Sequence, residues 1–576
     1  MVVFDGLFCF NMGCIKACGQ KTGHTYHASK LMNYFFVLLL STLTTLGLTP
    51  LLIRLASRLK LVDFPGDRKI HSSPVPRVGG LAMVLGVVPA LLLYEGFDQM
   101  TTILLAAAGI LVGFALADDT IGLGYRTKFL GQGLAALIAI LVGKLCAFSL
   151  LFCPYAINWP SWLSLPFTLL IILAVTNAIN LADGLDGMAG GIMLLVFLCI
   201  SLIAYTDHNT VITLLAIAFV GALFAFLQFN TYPAVIFMGD TGSQVLGFLA
   251  IVLTLALLQS STTLSPLLPL LLFGVPVLDT AVVIFERIRR RQSPFRGDKN
   301  HLHHKMIRLG LSHSEAVLAI YVIQAIFVVS AYYLRFSSPV PILGFFMVAV
   351  LFILLPIYLL HEYHFRIRSA VSSTTLNGRH SRSLRSSTFF LLRLGQKTLE
   401  YGLPAILFFS AFLPAVVSPF LAASSWCLLG GALLAWCLGG RWPFDLVRIT
   451  TFLFMPLIFI HCYTGMGGWM NTTLLAWYSG LYILIGFAAV LVHKLTRREQ
   501  GFHLTPTDFL IVFLFLTVLN WPDPAVQDMQ LDVWITLLII FFFSIEVLIG
   551  ELRGKCTRLL ATLLPGIVVL AFRSLL

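Results

Sequence analysis

The chain has 576 residues, of which 59% are hydrophobic and 11% are charged. Soluble domains carry about 25% charged residues, so this composition excludes an ordinary soluble protein and predicts an integral-membrane protein. The net charge of +12 does not indicate nucleic-acid binding, because no module of aromatic and basic residues accompanies it. The ten cysteines follow no zinc-binding spacing.

The first 31 residues are polar, and no apolar run precedes Lys30. A secretory signal peptide needs such a run. We therefore interpret residues 1–31 as an N-terminal extension and expect it to be dispensable. Met32 opens a sequence that is typical of the start of a membrane protein.

Eleven apolar segments follow, and a helix of roughly 20 such residues spans a bilayer. They fall near residues 33–53, 79–94, 101–117, 130–147, 165–180, 188–204, 210–228, 243–260, 266–286, 314–332 and 340–360. We predict an all-α integral-membrane fold, a polytopic helical bundle whose first domain covers residues 32–360. A basic, serine-rich stretch at 361–400 is interpreted as a cytoplasmic linker. About seven further apolar segments occupy 401–576, a region of unknown function.

The loops between the eleven segments fall alternately on two sides of the membrane. One set of loops holds sixteen Lys and Arg residues, and the other set holds two, Lys144 and Arg335. Cytoplasmic loops carry the excess of positive charge, so the first set is predicted to face the cytoplasm. The same set contains five polar motifs, each with at least one Asp. A single Asp at a span end is often merely solvated, but five such motifs on one face indicate a functional site.

The carboxylates of these loops suit a hard metal ion. Asp118 and Asp119 are adjacent, and neighbouring residues of a helix point about 100° apart, so the two cannot face one small ligand equally. One could hold a metal while the other takes a proton or orients a nucleophile. Asp240 lies between two glycines just before a span. Oxygen ligands favour Mg²⁺, and the five loops contain no cysteine that would favour a soft metal. Four more polar side chains recur at every third residue: Asn177, Asn180, Asp183 and Asp186.

The fifth motif, GDKNHLHHKMIRLGLSH at 297–313, has three interpretations: a zinc site, a phosphate site or a solvated loop. His301 and His304 could share one helical face, whereas His303 points elsewhere. Zinc would need a third protein ligand and usually a different helical spacing. The density of donors favours phosphate, so the cluster could hold a diphosphate leaving group near a metal. The cationic donors around the histidines are Arg296, Lys299 and Lys305.

Five motifs in this order resemble one family, the polyprenyl-phosphate N-acetylhexosamine-1-phosphate transferases of glycosyltransferase family 4. They are RKIHSSPVPRVGG, DDTIGL, NAINLADGLDGMAGG, FMGDTGS and HLHH, and the resemblance covers roughly residues 33–335. It implies a Mg²⁺-dependent enzyme, with Mn²⁺ as an alternative ion, in the bacterial cytoplasmic membrane with its site facing the cytoplasm. A lipid phosphate would attack the sugar-linked phosphorus of a UDP-sugar and release UMP, directly or through an aspartyl intermediate.

The resemblance also implies roles for individual residues. Asp118 and Asp119 would be the catalytic pair, and Asp240 and Asp119 the metal ligands. The residues expected to line the nucleotide and sugar site are Asn180, Asp183 and Asp186. Those expected to contact the diphosphate are His301, His303, His304, Lys128 and Arg296. Asn177 and Asp279 are further candidates, although structural polarity explains Asp279 equally well.

The fifth motif looks more like the branch that uses UDP-N-acetylglucosamine (UDP-GlcNAc) than the pentapeptide branch. We therefore predict transfer of GlcNAc-1-phosphate to undecaprenyl or another polyprenyl phosphate, the first membrane step of a cell-surface polysaccharide pathway. Another UDP-N-acetylhexosamine or UDP-MurNAc-pentapeptide is the alternative substrate. The expected partners are the UDP-sugar, the lipid and the membrane, without nucleic acid, and a homodimer is left open.

Two other classes of protein are alternatives to the transferase. A membrane transporter also carries polar residues near broken helices, but its sites lie at the midplane. Here the acidic motifs lie at span ends, and the sequence has no internal repeat. A pure scaffold is the third class, which would tolerate loss of the Asp118 carboxylate.

Overall fold

A computed structural model describes most of the chain. In the first part it covers residues 23–64, 74–92, 98–146, 161–293 and 300–362. In the second part it covers residues 386–414, 472–495, 505–522, 531–552 and 557–573, with a few isolated positions between 417 and 458. The chain divides into two compact units, Met1–Ala370 and Val371–Leu576.

Both units are built from helices. Those of the first unit are α1 (Gly23–Leu55), α2 (Gly79–Leu92), α3 (Gln99–Ile121), α4 (Tyr125–Leu141), α5 (Ser161–Ala182), α6 (Met188–Thr206), α7 (Thr210–Asn230), α8 (Gly239–Ser260), α9 (Leu268–Leu272), α10 (Gly274–Arg289), α11 (Leu302–Arg308), α12 (His313–Leu334) and α13 (Pro339–Glu362). Those of the second unit are α14 (Ser386–Ser410), α15 (Thr472–Leu495), α16 (Pro506–Leu519), α17 (Leu531–Leu552) and α18 (Thr557–Arg573).

The predicted all-α, multi-pass membrane fold is confirmed. Within the described residues, nine helices are long and apolar enough to cross a membrane, eight of them in the first unit. The predicted spans at 79–94 and 130–147 form the shorter helices α2 and α4, of 14 and 17 residues. The predicted span at 266–286 is divided at Phe273 into α9 and α10.

The predicted domain boundaries stay predictions. Helix α1 begins at Gly23, inside the segment interpreted as an extension, and residues 1–22 lie outside the described part of the chain. Helix α14 begins at Ser386, inside the segment interpreted as a linker. Much of 401–576 also lies outside the described residues, so the count of about seven spans there is not tested.

The end of α3 fixes where the paired aspartates lie. Gly122 adopts a left-handed conformation with φ of 66°, and its N–H donates to the carbonyl of Asp118 at 2.8 Å. Glycine ends helices in this way because it has no Cβ to clash. Asp118 and Asp119 therefore occupy the last turn of α3.

Helix α8 is the centre of the first unit. The whole of its most apolar stretch is buried, and it packs against α2, α3, α5 and α6. Protein rather than lipid therefore surrounds α8, and polar side chains on it are sheltered from hydrocarbon, where they would be costly. This position lets α8 carry Asp240 and Gln244.

A short hairpin closes the first loop over the N-terminal end of α8. Strands β1 (Val62–Asp63) and β2 (Val75–Pro76) pair in antiparallel register, and Arg77 forms an ion pair with Asp63. The hairpin then joins the loop that precedes α8. The joining bonds are Phe237 N to Pro76 O at 2.8 Å, Gly79 N to Phe237 O at 3.0 Å and Gly80 N to Met238 O at 2.8 Å. The first and fourth polar motifs are thus held together by their backbones.

The contact between Gly80 and Gly242 predicts a large folding effect. A Cβ on Gly80 would lie 2.1 Å from the backbone nitrogen of Gly242, which has no flexible side chain to move away. We expect Gly80→Ala to lower the melting temperature and the yield of monodisperse protein in detergent. Gly113→Ala is the matched control, because nothing lies within 4 Å of its added Cβ. Equal melting temperatures for the two variants would contradict the close packing of α2 on α8.

Candidate active site

Lys128 joins two of the predicted site carboxylates. Its Nζ lies 2.6 Å from Asp118 Oδ2 and 2.5 Å from Asp240 Oδ2. The other oxygen of Asp118 accepts the N–H of Leu123 at 2.7 Å. Lys128 lies in the first turn of α4, Asp118 in the last turn of α3 and Asp240 in the first turn of α8. The cation and its two carboxylates therefore come from three helices. The Lys128 side chain is one-third exposed, which leaves this cluster accessible from the loop side.

Asp119 points away from Lys128 and holds the beginning of α8. Its Oδ1 accepts the N–H of Asp240 at 2.9 Å, and its Oδ2 accepts the N–H of Thr241 at 2.8 Å and the Thr241 hydroxyl at 2.6 Å. The N-terminus of a helix carries unpaired N–H groups and partial positive charge, so a carboxylate stabilises it. Gly239, with φ of 71°, makes room, since a Cβ there would lie 2.8 Å from Asp119 Oδ2. The adjacent aspartates thus have different partners, as helix geometry predicts.

Asn180 connects the third motif to Asp240. Its Nδ2 lies 3.1 Å from Asp240 Oδ1 and 2.8 Å from Ser243 Oγ. Gln244, one turn after Asp240, donates to Asp240 Oδ2 at 3.2 Å. Asp240 is therefore held by donors from α4, α5 and α8, and its carboxylate orientation is fixed.

Asp183 lies in the turn after α5, within the electrostatic reach of the same carboxylates. Burial raises its pKa to about 7, and the negative charges of Asp240 and Asp119 raise it further, against the charge of Arg77. A carboxyl with this pKa is partly protonated near neutral pH. The predicted nucleotide role of Asp183 stays a prediction.

Asp186 shapes the loop that follows α7. Its carboxylate accepts the N–H of Ala234 at 3.0 Å, while the neighbouring Gly187 N donates to Asn230 Oδ1 at 2.9 Å. Tyr321 OH donates to the carbonyl of Gly187 at 2.6 Å. The predicted nucleotide role of Asp186 stays a prediction, and in this structure its contacts are with backbone.

The histidine motif meets the third motif at Gly184. A Cβ on Gly184 would lie 2.6 Å from His303 Nε2, so the imidazole ring packs directly on this glycine. The ring of His303 also lies against those of His301 and His304, with centroids 5.8 and 4.2 Å away. The third and fifth motifs are therefore neighbours in space, about 120 residues apart in sequence.

His303 is a neutral group at pH 7. Burial lowers its pKa to about 4, and the nearby charge of His304 acts in the same direction. A neutral imidazole can donate or accept one hydrogen bond but adds no positive charge. In this structure His303 can therefore offer a hydrogen bond at a ring nitrogen.

Asp279 orients His301. Its Oδ2 lies 2.8 Å from His301 Nδ1, and its Oδ1 accepts the N–H of Leu302 at 2.6 Å. A carboxylate on one ring nitrogen fixes the tautomer and the direction of the other nitrogen. Asp279 thus contacts the fifth motif through His301 and Leu302, and its role in the site stays a prediction. Arg296 and Lys299 lie outside the described residues, so their predicted contacts stay predictions.

Removing the Asp279 carboxylate is expected to weaken both the fold of α11 and the reaction. Asp279→Ala deletes two hydrogen bonds to an ionised acceptor, each worth about 1.5–3 kcal/mol. We expect a lower melting temperature and a lower kcat. Glu286→Ala is the comparison, since Glu286 holds the same segment through Lys305 at 2.6 Å and, among the described residues, forms no ion pair with a histidine. A larger loss of kcat in Glu286→Ala than in Asp279→Ala would contradict the positioning role.

Sequence reasoning missed two contacts of His313. The Tyr232 ring stacks on the His313 imidazole with centroids 4.4 Å apart, and His313 Nε2 lies 3.4 Å from the carbonyl of Asp186. Lys128 contacts Asp118 and Asp240 in this structure, and its predicted contact with the diphosphate stays a prediction. The available signal for the contacts of Lys128 was its place as the last cation before the apolar segment at 130–147.

Fold and contacts together define a multi-pass membrane protein in which the second, third and fourth polar motifs join at one carboxylate cluster, the first docks beside it and the fifth adjoins the third. A sequence profile of glycosyl transferase family 4 matches residues 101–258, and the chain covers 87% of a relative that is 36% identical to it. The chain therefore belongs to glycosyl transferase family 4, as its motifs predict.

Named bacterial relatives cover about half of the chain. The relative in Bacillus subtilis (strain 168) is a probable undecaprenyl-phosphate N-acetylglucosaminyl 1-phosphate transferase, 36% identical over 54% of this chain and 87% of its own. One in Mycobacterium leprae (strain TN) is a decaprenyl-phosphate N-acetylglucosaminephosphotransferase, 35% identical over 46% of this chain and 75% of its own. One in Escherichia coli (strain K12) is an undecaprenyl-phosphate alpha-N-acetylglucosaminyl 1-phosphate transferase, 30% identical over 46% of this chain and 74% of its own.

Proposed function

We propose that the protein transfers GlcNAc-1-phosphate from UDP-GlcNAc to a polyprenyl phosphate, giving polyprenyl-diphospho-GlcNAc and UMP. The names of the relatives in Bacillus, Mycobacterium and Escherichia support both the lipid acceptor and the sugar. The observation that carries the proposal is the cation of Lys128 shared by Asp118 and Asp240 at the meeting point of three helices. Such a cluster suits a reaction that depends on positioning and charge neutralisation.

A divalent ion fits this donor set. Within the described residues, no three Asp, Glu, His or Cys side chains come together as a complete metal site. Mg²⁺ is usually held by only one or two carboxylates, together with water and substrate phosphates. Two carboxylate oxygens, of Asp118 and Asp240, already approach one positive charge within 2.6 Å. We assign Mg²⁺, or Mn²⁺, to Asp240 and Asp118.

This assignment differs from the predicted metal pair of Asp240 and Asp119. Both Asp119 oxygens accept hydrogen bonds from the first residues of α8, so we assign Asp119 to holding Asp240 in place. When bound, the ion would supply charge neutralisation for the phosphates of the nucleotide-sugar.

The proposed reaction is a displacement at phosphorus. A bond forms between a lipid phosphate oxygen and the sugar-linked phosphorus of UDP-GlcNAc. The pyrophosphate bond breaks, and its electron pair leaves with UMP. The chain's own groups would orient the reactants: Asn180, which contacts Asp240, and Asp183 would hold the nucleotide-sugar, and His301 and His303 would contact its diphosphate.

We place the site on the cytoplasmic side of the bacterial inner membrane. The excess of Lys and Arg in the loops that carry the motifs supports this orientation. A nucleotide-sugar would then reach the cluster from the cytoplasm, while the lipid phosphate would arrive within the inner leaflet.

The test is release of UMP by the purified protein. We expect UMP when polyprenyl phosphate, Mg²⁺ and UDP-GlcNAc are all present, and none when the lipid or the ion is omitted. UDP-GalNAc and UDP-MurNAc-pentapeptide are tested in parallel to establish the sugar. Absence of UMP with every nucleotide-sugar would reject the transferase. Solute transport into vesicles without UMP would favour the transporter instead.

A further inference from the structure

A second polar layer lies one helical turn below the carboxylate cluster. Gln132 follows Lys128 by four residues on α4, and Gln244 follows Asp240 by four residues on α8. Asn177 precedes Asn180 by three residues on α5. Residues three or four apart lie above one another on a helix, so each of the three helices contributes one residue to the cluster and another to the second layer.

The three amides form a chain of hydrogen bonds with one direction. Asn177 Nδ2 donates to Gln132 Oε1 at 2.8 Å, and Gln132 Nε2 donates to Gln244 Oε1 at 3.1 Å. Gln244 Nε2 then donates to Asp240 Oδ2 at 3.2 Å. Every donor points toward the carboxylate.

Both ends of the chain fix that direction. At one end Asn177 Nδ2 also donates to the carbonyl of Leu173 at 2.8 Å, so its amide cannot turn round. At the other end the Asp240 carboxylate only accepts. Reversal of either glutamine would set two donors or two acceptors against each other. Gln132 and Gln244 are 3% and 2% exposed, so water cannot easily replace a lost partner.

We propose that Gln132 and Gln244 are positioning residues for the proposed reaction, acting in series through hydrogen bonds on Asp240. Their amides do not titrate, so they supply a donor to Asp240 without bringing charge into the membrane. The donor from Gln244 fixes one oxygen of Asp240, while Asn180 holds the other at 3.1 Å. This inference rests on the proposed function, in which Asp240 holds the divalent ion.

A different role for the same amides is adhesion between helices. Interhelical hydrogen bonds of buried Gln and Asn stabilise membrane bundles wherever they occur. Adhesion alone would change the stability of the variants but not their affinity for a divalent ion. Positioning of Asp240 would also change that affinity, so the affinity for a divalent ion distinguishes the two roles.

The experiment measures Mn²⁺ binding to the full chain in detergent by electron paramagnetic resonance, beside the Mg²⁺ dependence of UMP release. Methionine resembles glutamine in length, so the variants are Gln244→Met, Gln132→Met and the double variant. The control is Gln324→Met. Gln324 is a fully buried amide on α12 that bonds Leu272 O at 2.7 Å and Val275 N at 3.1 Å, away from Asp240. Melting temperatures establish that each protein is folded.

We expect the Kd for Mn²⁺ to rise about tenfold in Gln244→Met, the lower end of what loss of an outer hydrogen-bond partner costs a metal ligand. A smaller rise is expected in Gln132→Met, and the double variant should equal Gln244→Met, because residues acting in series are not additive. The KM for Mg²⁺ should follow the Kd, and Gln324→Met should match the wild type in both.

Unchanged Mn²⁺ affinity in folded Gln244→Met would overturn the inference while leaving the transferase intact. An equal loss of affinity in Gln324→Met would overturn it too, since the effect would then be general loosening of the bundle. If Gln244→Met does not fold, Gln132→Met decides: a raised Kd supports the series and a wild-type Kd rejects it. Wild-type protein that neither binds Mn²⁺ nor releases UMP would instead reject the proposed function itself.

Discussion

Asp240→Asn is expected to lower kcat/KM for UMP release about 10³-fold, which corresponds to about 4 kcal/mol of transition-state stabilisation. The substitution keeps the shape of the side chain but removes a charge that Lys128 contacts at 2.5 Å and that the proposed Mg²⁺ would share. The measurement is a steady-state UMP assay at saturating Mg²⁺ and lipid. Binding of Mn²⁺ should weaken in parallel.

The control for this prediction is Asp207→Asn. Asp207 follows the last residue of α6, at the opposite end of this 19-residue helix from Gly187 of the third motif, so its variant should keep wild-type activity. A factor of three in rate corresponds to less than about 1 kcal/mol. If Asp240→Asn keeps its activity within threefold of wild type, Asp240 is not at the reacting centre.

Asp119→Asn is expected to reduce stability as well as activity. Two backbone N–H groups and one hydroxyl donate to the Asp119 carboxylate, and an Asn amide would place its NH₂ group against at least one of these donors. A buried donor left unpaired costs about 1–3 kcal/mol, in addition to the lost charge at the helix N-terminus. We expect a clearly lower melting temperature and an activity reduced at least as far as in Asp240→Asn, because Asp240 itself moves.

Asp118→Asn is the matched comparison for Asp119→Asn. The amide oxygen can keep the bond from Leu123 N, so the variant should melt near the wild type while losing activity through its contact with Lys128. If Asp118→Asn unfolds and Asp119→Asn does not, the division of the pair into a reacting and a holding carboxylate is wrong.

Most of the fold could be predicted because the chain's apolar segments are long and well separated. The segments at 188–204, 210–228 and 243–260 became α6, α7 and α8 with ends displaced by a few residues. The break at Phe273 was not predicted, since no polar side chain interrupts the apolar run from 266 to 278. Pro269, Gly274 and Pro276 flank the break, and these residues were the available signal.

The positions of the site residues followed from topology, but their contacts did not. Loops on one side of a membrane must meet at the same end of the bundle, which is why Asp118, Asp240 and Asn180 could be predicted as neighbours. Which oxygen receives which donor depends on helix rotation and on close approaches such as Gly239 against Asp119. A hydrophobicity pattern contains neither.

The glutamines of the second layer illustrate the same limit. Gln132 and Gln244 are single polar residues inside apolar helices, and each alone is unremarkable. Their spacing of four residues from Lys128 and from Asp240 became informative only once α4 and α8 were seen to face each other.

The central claim is that Asp118 and Asp240, on separate helices, hold one divalent ion. It is tested most directly by anomalous diffraction at the manganese edge from crystals of the protein grown with Mn²⁺ and UDP-GlcNAc. We expect a single strong peak bound to Asp240, in contact with Asp118 and with the diphosphate. A peak bound elsewhere, with these two carboxylates still joined only through Lys128, would contradict it.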